Sequence, residues 1–188
     1  KLRKHIVSAK ELTIRGKHNY ENICAAIAAT RTLVDISTAI EVIKTFPGVE
    51  HRIEFVGEIN GIKVYNDSKS TNVKATQIAL SSFTKPTILL LGGLDRGHSF
   101  EGLTTYMNNV KLVVSYGETK HRIKEYCDKI NKECIVVDDL ENAVNIAFKN
   151  ALENDVILLS PACASWDQYS DFEERGRKFK EYVTRRMK

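Results

Sequence analysis

Seven consecutive residues, Asn66-Asp67-Ser68-Lys69-Ser70-Thr71-Asn72, place a carboxylate, an ammonium, hydroxyls and two side-chain amides between an apolar run (Gly61-Ile62-Lys63-Val64-Tyr65) and a helical one, residues 73–80. A strand-to-helix turn of this kind aims backbone N–H groups and the positive end of a helix dipole at one spot, which suits a phosphate or a carboxylate. The same residues also suit a plain helix start in which Ser68 or Thr71 caps orphan amides. Chemistry alone leaves both readings open. Arg52, Lys69 and Arg96, taken with Ser68, Thr71, Ser165 and exposed backbone amides, supply cations and donors but few proton-transfer groups. Singly, each cation reads as a surface charge. Gathered in one place they fit a small dianion bound beside phosphate, where catalysis is positioning plus electrostatic stabilisation.

Other chemistries lose on inspection. Gly92 and Gly97 have the spacing of a phosphate loop, but His98-Ser99 stands where Lys-Ser/Thr is required, and no GxGxxG follows a strand. Cys163 would need a histidine partner, and a lone Cys in a small-residue loop reads as packing. Ser165 lacks the GxSxG of a serine hydrolase. Cys24, Cys127, Cys134 and Cys163 form no CxxC pair, and the five histidines make no metal-ligand spacing with them, so the thiols are expected reduced and mostly buried. Asn19 and Asn22, three apart on one helical face, could read a heteroaromatic base, although Asn near a helix start also reads as a cap.

The elements that must position these groups follow from periodicity. Residues 10–14 alternate as a short strand, a helix opens at His18-Asn19, and a second helix over residues 37–46 ends at Pro47-Gly48, the clearest boundary in the chain. Residues 51–59 and 62–66 then read as strands joined by the hairpin signal Asn60-Gly61. Beyond them strands (87–91, 111–116, 133–137, 156–159) alternate with helices (73–80, 100–107, 119–130, then one striped by Leu140, Ala143, Val144, Ala147 and Ala151). Asp171 and Glu174 read as a capping pair opening a last helix striped by Phe172, Phe179 and Tyr182 or Val183. The expected fold is α/β: a Rossmann-like, doubly wound, mostly parallel sheet with an N-terminal hairpin, preceded by a short helical segment. Loops after residues 66, 91 and 159 then leave the C-terminal ends of strands in one sheet, the edge where such sheets bind ligands.

Composition agrees with a globular protein. The chain has 188 residues, 43% hydrophobic and 28% charged, with a modest net charge of +4 spread between acids, which argues against nucleic acid as a partner. No apolar run approaches the roughly 20 residues of a membrane helix. A cytoplasmic address is expected. The first residue is Lys1, so the start reads as cut from something longer.

At this point the motifs resemble a known family. His51-Arg52-Ile53-Glu54, Asn66-Asp67-Ser68-Lys69-Ser70-Thr71-Asn72, Leu91-Gly92-Gly93, Ser160-Pro161-Ala162-Cys163-Ala164-Ser165-Trp166-Asp167-Gln168 and Phe172-Glu173-Glu174-Arg175-Gly176 resemble the Mur ligases of bacterial peptidoglycan synthesis, in particular the members that add D-glutamate. Gly16-Lys17-His18-Asn19-Tyr20-Glu21-Asn22 is similar to the end of that family's central ATPase domain. The resemblance implies that residues 1–47 are the tail of the ATPase domain and 48–188 the C-terminal ligase domain. It implies a cytoplasmic, monomeric bacterial enzyme using ATP, Mg2+, D-glutamate and UDP-N-acetylmuramoyl-L-alanine, with the magnesium ligands, the phosphate loop and the UDP-binding domain outside this chain. A chain lacking those parts is expected to be inactive alone. Carried over residue by residue, Asn19 and Asn22 would face adenine, and Arg52 and Asp67 would reach the ribose and phosphates. Lys69 would serve catalysis beside the acyl phosphate, while Thr71, Arg96, Ser165, Trp166 and Phe172 would frame D-glutamate. Arg96 would replace a lysine of some members, keeping the charge but changing its geometry. Another amide ligase of the superfamily, such as a folylpolyglutamate synthase, or a non-catalytic nucleotide-binding module are the alternatives.

Overall fold

The computed structural model describes residues 5–14 and 16–186, and the chain divides into two compact units, Lys1–Val49 and Glu50–Lys188. In the first unit two helices dominate. Helix α1 (Lys17–Thr30) follows Gly16, whose φ of 97° stops the chain from continuing backwards as helix, and its four alanines favour helix at little entropic cost. Helix α2 (Ile36–Thr45) follows Asp35 and ends at Phe46, just before Pro47. The expected strand at residues 10–14 does not form. Instead Ser8 and Glu11 close a capping box around a short 3-10 turn (Ala9–Glu11), and Glu11 then pairs with Lys44 at 2.5 Å. Alternation without a partner strand lost to a local cap. The capping reading of Asn19 also fails, because Gly16 holds the cap position and Asn19 lies inside the first turn.

The second unit opens on a hairpin, β1 (Glu54–Ile59) and β2 (Ile62–Asn66). Its two-residue turn needs positive φ at both positions, and Asn60 (50°) and Gly61 (77°) supply it. β1 starts three residues later than alternation suggests. The His51 amide donates to Glu54 Oε2 and the Ile53 amide to Asp67 Oδ1, and both residues take positive φ, so side-chain carboxylates hold amides that a ladder would have used.

From β2 the chain alternates: α3 (Val73–Leu80), β3 (Thr87–Gly92), a 3-10 helix (Glu101–Tyr106), β4 (Val110–Tyr116), α4 (Lys120–Lys129), β5 (Cys134–Val136), α5 (Leu140–Asn150), β6 (Val156–Leu159) and α6 (Phe172–Thr184). The expected helix at 100–107 is a 3-10 helix because Phe100 and Leu103 are buried three apart and Gly102 packs under Gln77 and Val73. One six-stranded sheet results, in the order β1-β2-β6-β3-β4-β5, parallel except for β1. The fold is therefore the expected mixed α/β one.

Burial explains the two faces. Leu89, Leu91, Val113 and Leu158 face Ala79, Leu80, Leu103, Ile123 and Cys127, while Ile88, Leu90, Val114, Ile157 and Leu159 face Leu140, Ala143, Val144, Ala147, Phe179 and Val183. So α3, the 3-10 helix and α4 cover one face, and α5 with α6 the other. β3 and β6 are buried along their whole lengths, which is why they read as unbroken apolar runs. Because β6 inserts between β2 and β3, the loops leaving all three strands are neighbours.

Candidate functional site

The loop after β2 is built inward first. Asn66, fully buried, donates from its amide to His51 Nδ1 (2.9 Å), Glu54 Oε2 (3.0 Å) and the Gly176 carbonyl (3.4 Å), and accepts from the Ser68 amide. The Asp67 carboxylate accepts from the Ile53 amide (3.2 Å), from Ser160 Oγ (2.7 Å) and from Ser70 Oγ. Burial pushes its pKa up to about 6, opposed by those three donors and by the charge of Arg52. Asn72 caps α3, accepting from the Ala75 amide at 3.0 Å. Neither Ser68 nor Thr71 is the cap.

Ser68 is spent elsewhere. Its hydroxyl donates to the Phe172 carbonyl (2.8 Å) and accepts from Arg175 Nε (2.9 Å), while Arg175 Nη2 donates to the Ser68 carbonyl (2.8 Å) and Nη1 to the Cys163 carbonyl (3.0 Å). Arg175 is 0% exposed, so one buried guanidinium clamps the loop after β2 to the loop after β6. Neutral oxygens meet its donors, and its charge acts on the nearby Asp167 carboxylate, whose pKa burial raises and the guanidinium helps to lower. Sequence reasoning quoted Arg175 within a motif and assigned it no place. The signal was there: it occupies the buried stripe of α6, between Phe172 and Phe179, where a charge needs a reason.

The loop after β3 is fixed by backbone. Gly92 donates to the Pro161 carbonyl (3.0 Å) and Leu94 to the Ala164 carbonyl (2.9 Å). Gly92 and Gly93 take φ of 139° and 143°, and a Cβ would come within 2.0 Å of the Tyr116 carbonyl oxygen or 2.3 Å of that of Ala164. These glycines let three backbones cross, a use different from cradling a phosphate.

On this frame stand the exposed groups. Lys69 Nζ lies 4.6 Å from the centroid of the Phe172 ring, and the Arg96 guanidinium 4.7 Å from that of Trp166. Trp166 is 63% exposed, Ser165 beside it is buried, and Thr71 and Phe172 are half-buried. Arg52 is exposed near Asp67. Among the described residues Arg52, Lys69 and Arg96 form no ion pair, whereas Lys111, Lys120, Arg122 and Lys180 each hold a carboxylate. Three loops therefore present cations seated on aromatic rings or left to solvent, which suits carboxylates or phosphates arriving from outside. Asn19 and Asn22 lie on α1, in the other unit.

Two rivals are settled by geometry. His98 Nε2 does stand 3.9 Å from Cys163 Sγ, but burial lifts the Cys163 thiol to about 11 and lowers the His98 pKa, which disfavours the thiolate–imidazolium pair a nucleophile needs. Among the described residues the one group of metal-type ligands is Glu50, His51 and Glu54, and Lys180 Nζ already sits on both carboxylates at 2.5 and 2.9 Å. A magnesium ion does not fit there. Open grooves of about 470 Å³ along Arg177, Lys180, Glu181, Thr184 and Arg185 and about 180 Å³ around Phe100 and Arg122 include none of the expected site residues. Cys24 is exposed, against the expectation of mostly buried thiols.

Comparison with known proteins gives the fold and site a context. The family described as "Mur ligase, glutamate ligase domain" matches residues 51–163. The UDP-N-acetylmuramoylalanine–D-glutamate ligase of Bacillus subtilis (strain 168) is 48% identical over 93% of this chain, and that of Bacillus thuringiensis (strain Al Hakam) 49% over 91%. The chain spans only 39% and 38% of those relatives' lengths. Among solved structures, UDP-N-acetylmuramate-alanine ligase MurC from Thermotoga maritima aligns with a TM-score of 0.71 at 21% identity, covering 93% of this chain and 39% of that one. Folylpolyglutamate synthase from the same organism aligns at 0.61 and 18% identity, covering 92% and 40%. Those two likenesses concern the fold alone.

Proposed function

Because this chain belongs to the Mur ligase family, carrying its glutamate ligase domain, we propose that it is the C-terminal part of an ATP-dependent ligase that adds D-glutamate to UDP-N-acetylmuramoyl-L-alanine. Residues 1–47 would be the tail of a central ATPase domain and 48–188 the domain that brings the amino acid. The observation that carries this reading is the pair of cations seated on rings, Lys69 on Phe172 and Arg96 on Trp166, on neighbouring loops. A carboxylate of the amino acid and an acyl phosphate each call for a cation, and a ring orients a cation without neutralising it.

In this reading Arg96, Ser165, Thr71 and the Phe172–Trp166 edge hold D-glutamate with its amine facing the acceptor, and Lys69 offsets charge on an acyl phosphate made from the alanyl carboxylate and ATP. The amine attacks the acyl carbon, the C–N bond forms, inorganic phosphate leaves with the C–O bonding pair, and the proton shed by the nitrogen passes to solvent or to the departing phosphate. Arg52 and Asp67 reach the nucleotide, Asp67 with its carboxylate already oriented by Ser70 and Ser160; Asn19 and Asn22 face adenine. Magnesium would supply charge neutralisation of the phosphates from ligands outside these residues. Such a protein works as a cytoplasmic monomer; among the described residues no helix is long and apolar enough to cross a membrane.

The test is amide formation by the full-length protein, with D-glutamate exchanged for L-glutamate or diaminopimelate. Turnover with D-glutamate alone is expected. Equal or greater turnover with L-glutamate on a folate acceptor would transfer the assignment to the folylpolyglutamate synthase branch, whose fold is shared.

A further inference from the structure

The rim has a fourth side that supplies no group to the proposed reaction. Helix α4 begins just after β4, and its opening runs against local helix preference. Lys120, His121 and Arg122 occupy the first turn with no acid among them, a charge order the helix dipole disfavours. Thr119 holds the cap position, yet its hydroxyl caps nothing in the helix: it accepts from the Gly93 amide and donates to the Gly93 carbonyl, both at 3.2 Å. These side chains serve the neighbouring loops instead.

Three contacts hold the loop after β3 to this helix start. Thr119 fixes its base at Gly93. Glu118 Oε2 accepts from the Asp95 amide at 3.1 Å. Arg122 reaches the far end, Nη1 pairing with the Asp95 carboxylate and Nη2 donating to the His98 carbonyl at 2.8 Å. The same carboxylate accepts from the Gly97 amide at 2.8 Å, so residues 95–98 make a closed turn that contains the exposed Arg96. The loop after β6 is tied to the same place. Asp167 Oδ2 accepts from the Glu118 amide at 3.2 Å, and Gln168 Nε2 donates to the Asp138 carbonyl at 2.8 Å. Asp167 and Gln168 directly follow Trp166, the ring on which the Arg96 guanidinium rests at 4.7 Å. Glu118 therefore touches both loops, accepting from one through its carboxylate and donating to the other through its backbone amide.

We infer that Glu118 and Arg122 are positioning residues for the incoming amino acid, holding Asp95 so that Arg96 sits against Trp166 where it meets the substrate carboxylate. This rests on the D-glutamate reading above. Neither residue touches substrate. A mobile loop must be ordered when its ligand binds, whereas one already tied at Asp95 and His98 has given up that freedom beforehand, so binding tightens and the bond-making step is unaffected.

The test compares Arg122→Ala, Glu118→Ala and Glu118→Gln with Arg96→Gln. Glu118 is exposed and the Arg122–Asp95 pair is partly open to solvent, so each variant should melt within about 4 °C of the parent. In the full-length protein KM for D-glutamate should rise about three- to tenfold in both alanine variants, with kcat and KM for ATP unchanged. Glu118→Gln keeps an acceptor for the Asp95 amide and should stay near the parent. In the 188-residue chain Trp166 is the single tryptophan, and acrylamide should quench its fluorescence more readily in both alanine variants, as in Arg96→Gln. The inference falls, and the D-glutamate reading survives, if Arg96→Gln raises KM for D-glutamate while Arg122→Ala does not, or if quenching is unaltered in the alanine variants. It falls equally if KM for ATP rises in step, the mark of a general loosening, or if Glu118→Gln is as impaired as Glu118→Ala. An unchanged KM for D-glutamate in Arg96→Gln overturns the D-glutamate reading itself, and this inference with it.

Discussion

The two units of this chain bury their apolar residues very differently. In Glu50–Lys188 every residue of β3 and β6 is buried and both faces of the sheet are covered by helices of the same unit. In Lys1–Val49, α2 has no buried residue, and Leu33, Val42, Phe46 and Val49 are 81%, 58%, 42% and 52% exposed. The helices of the first unit have no side-chain cap and rest on local propensity, α1 with its four alanines, whereas the second unit is held by a closed core. Local propensity suffices to draw α1 and α2, but only tertiary packing gives a cooperative fold. The loops after β2, β3 and β6 rest on the closed core, whereas Asn19 and Asn22 ride on α1 in the open unit.

Substitutions that strike the two units unequally sharpen the comparison. Arg175→Met should cost the most. It strips Ser68 and Cys163 of a buried donor and should lower unfolding free energy by about 3 kcal/mol in a urea melt. A loss below about 1 kcal/mol would mean that the loops do not depend on this clamp. Next comes the pH dependence set by Asp67. Its folded pKa of about 6 lies above the ordinary 3.8, so between those values the folded state holds a proton that the unfolded chain has lost, and stability falls as pH rises through that window. The fall should be about 3 kcal/mol, and Asp67→Asn should flatten it. Removing the α3 cap with Asn72→Ala should cost about 1 kcal/mol. Leu33→Ser, in the open unit, should change the melt by less than about 0.5 kcal/mol. A large loss there would show that α1 and α2 share the core's cooperativity.

Sequence carried the fold where chemistry was local. β2, α3 and β6 begin and end at the expected residues because apolar runs meet turn residues at both ends. It misled at residues 10–14 and 51–53, where alternation was real but the carboxylates of Glu11, Glu54 and Asp67 captured the backbone. It paired Glu174 with Asp171, and Asp171 does cap α6 by accepting from the Glu174 amide, although the Glu174 carboxylate accepts from Ser170 instead of closing the box. Placing three loops along one sheet edge was legible from the βαβ pattern. That β6 lies between β2 and β3 was not, because strand order is set by pairing across about 90 residues of chain. Arg175 was passed over for a related reason: a charge in a helix looks solvated until the stripe it interrupts is seen packed.

The central claim is that Arg96 on this rim holds a carboxylate of the incoming amino acid. Steady-state kinetics of the full-length protein with Arg96→Gln and Arg96→Lys address it directly. Losing a charge-assisted hydrogen bond of about 1.5–3 kcal/mol should raise KM for D-glutamate at least about tenfold in Arg96→Gln, leave KM for ATP unchanged, and be largely restored by lysine. An unchanged KM for D-glutamate in Arg96→Gln would contradict the account.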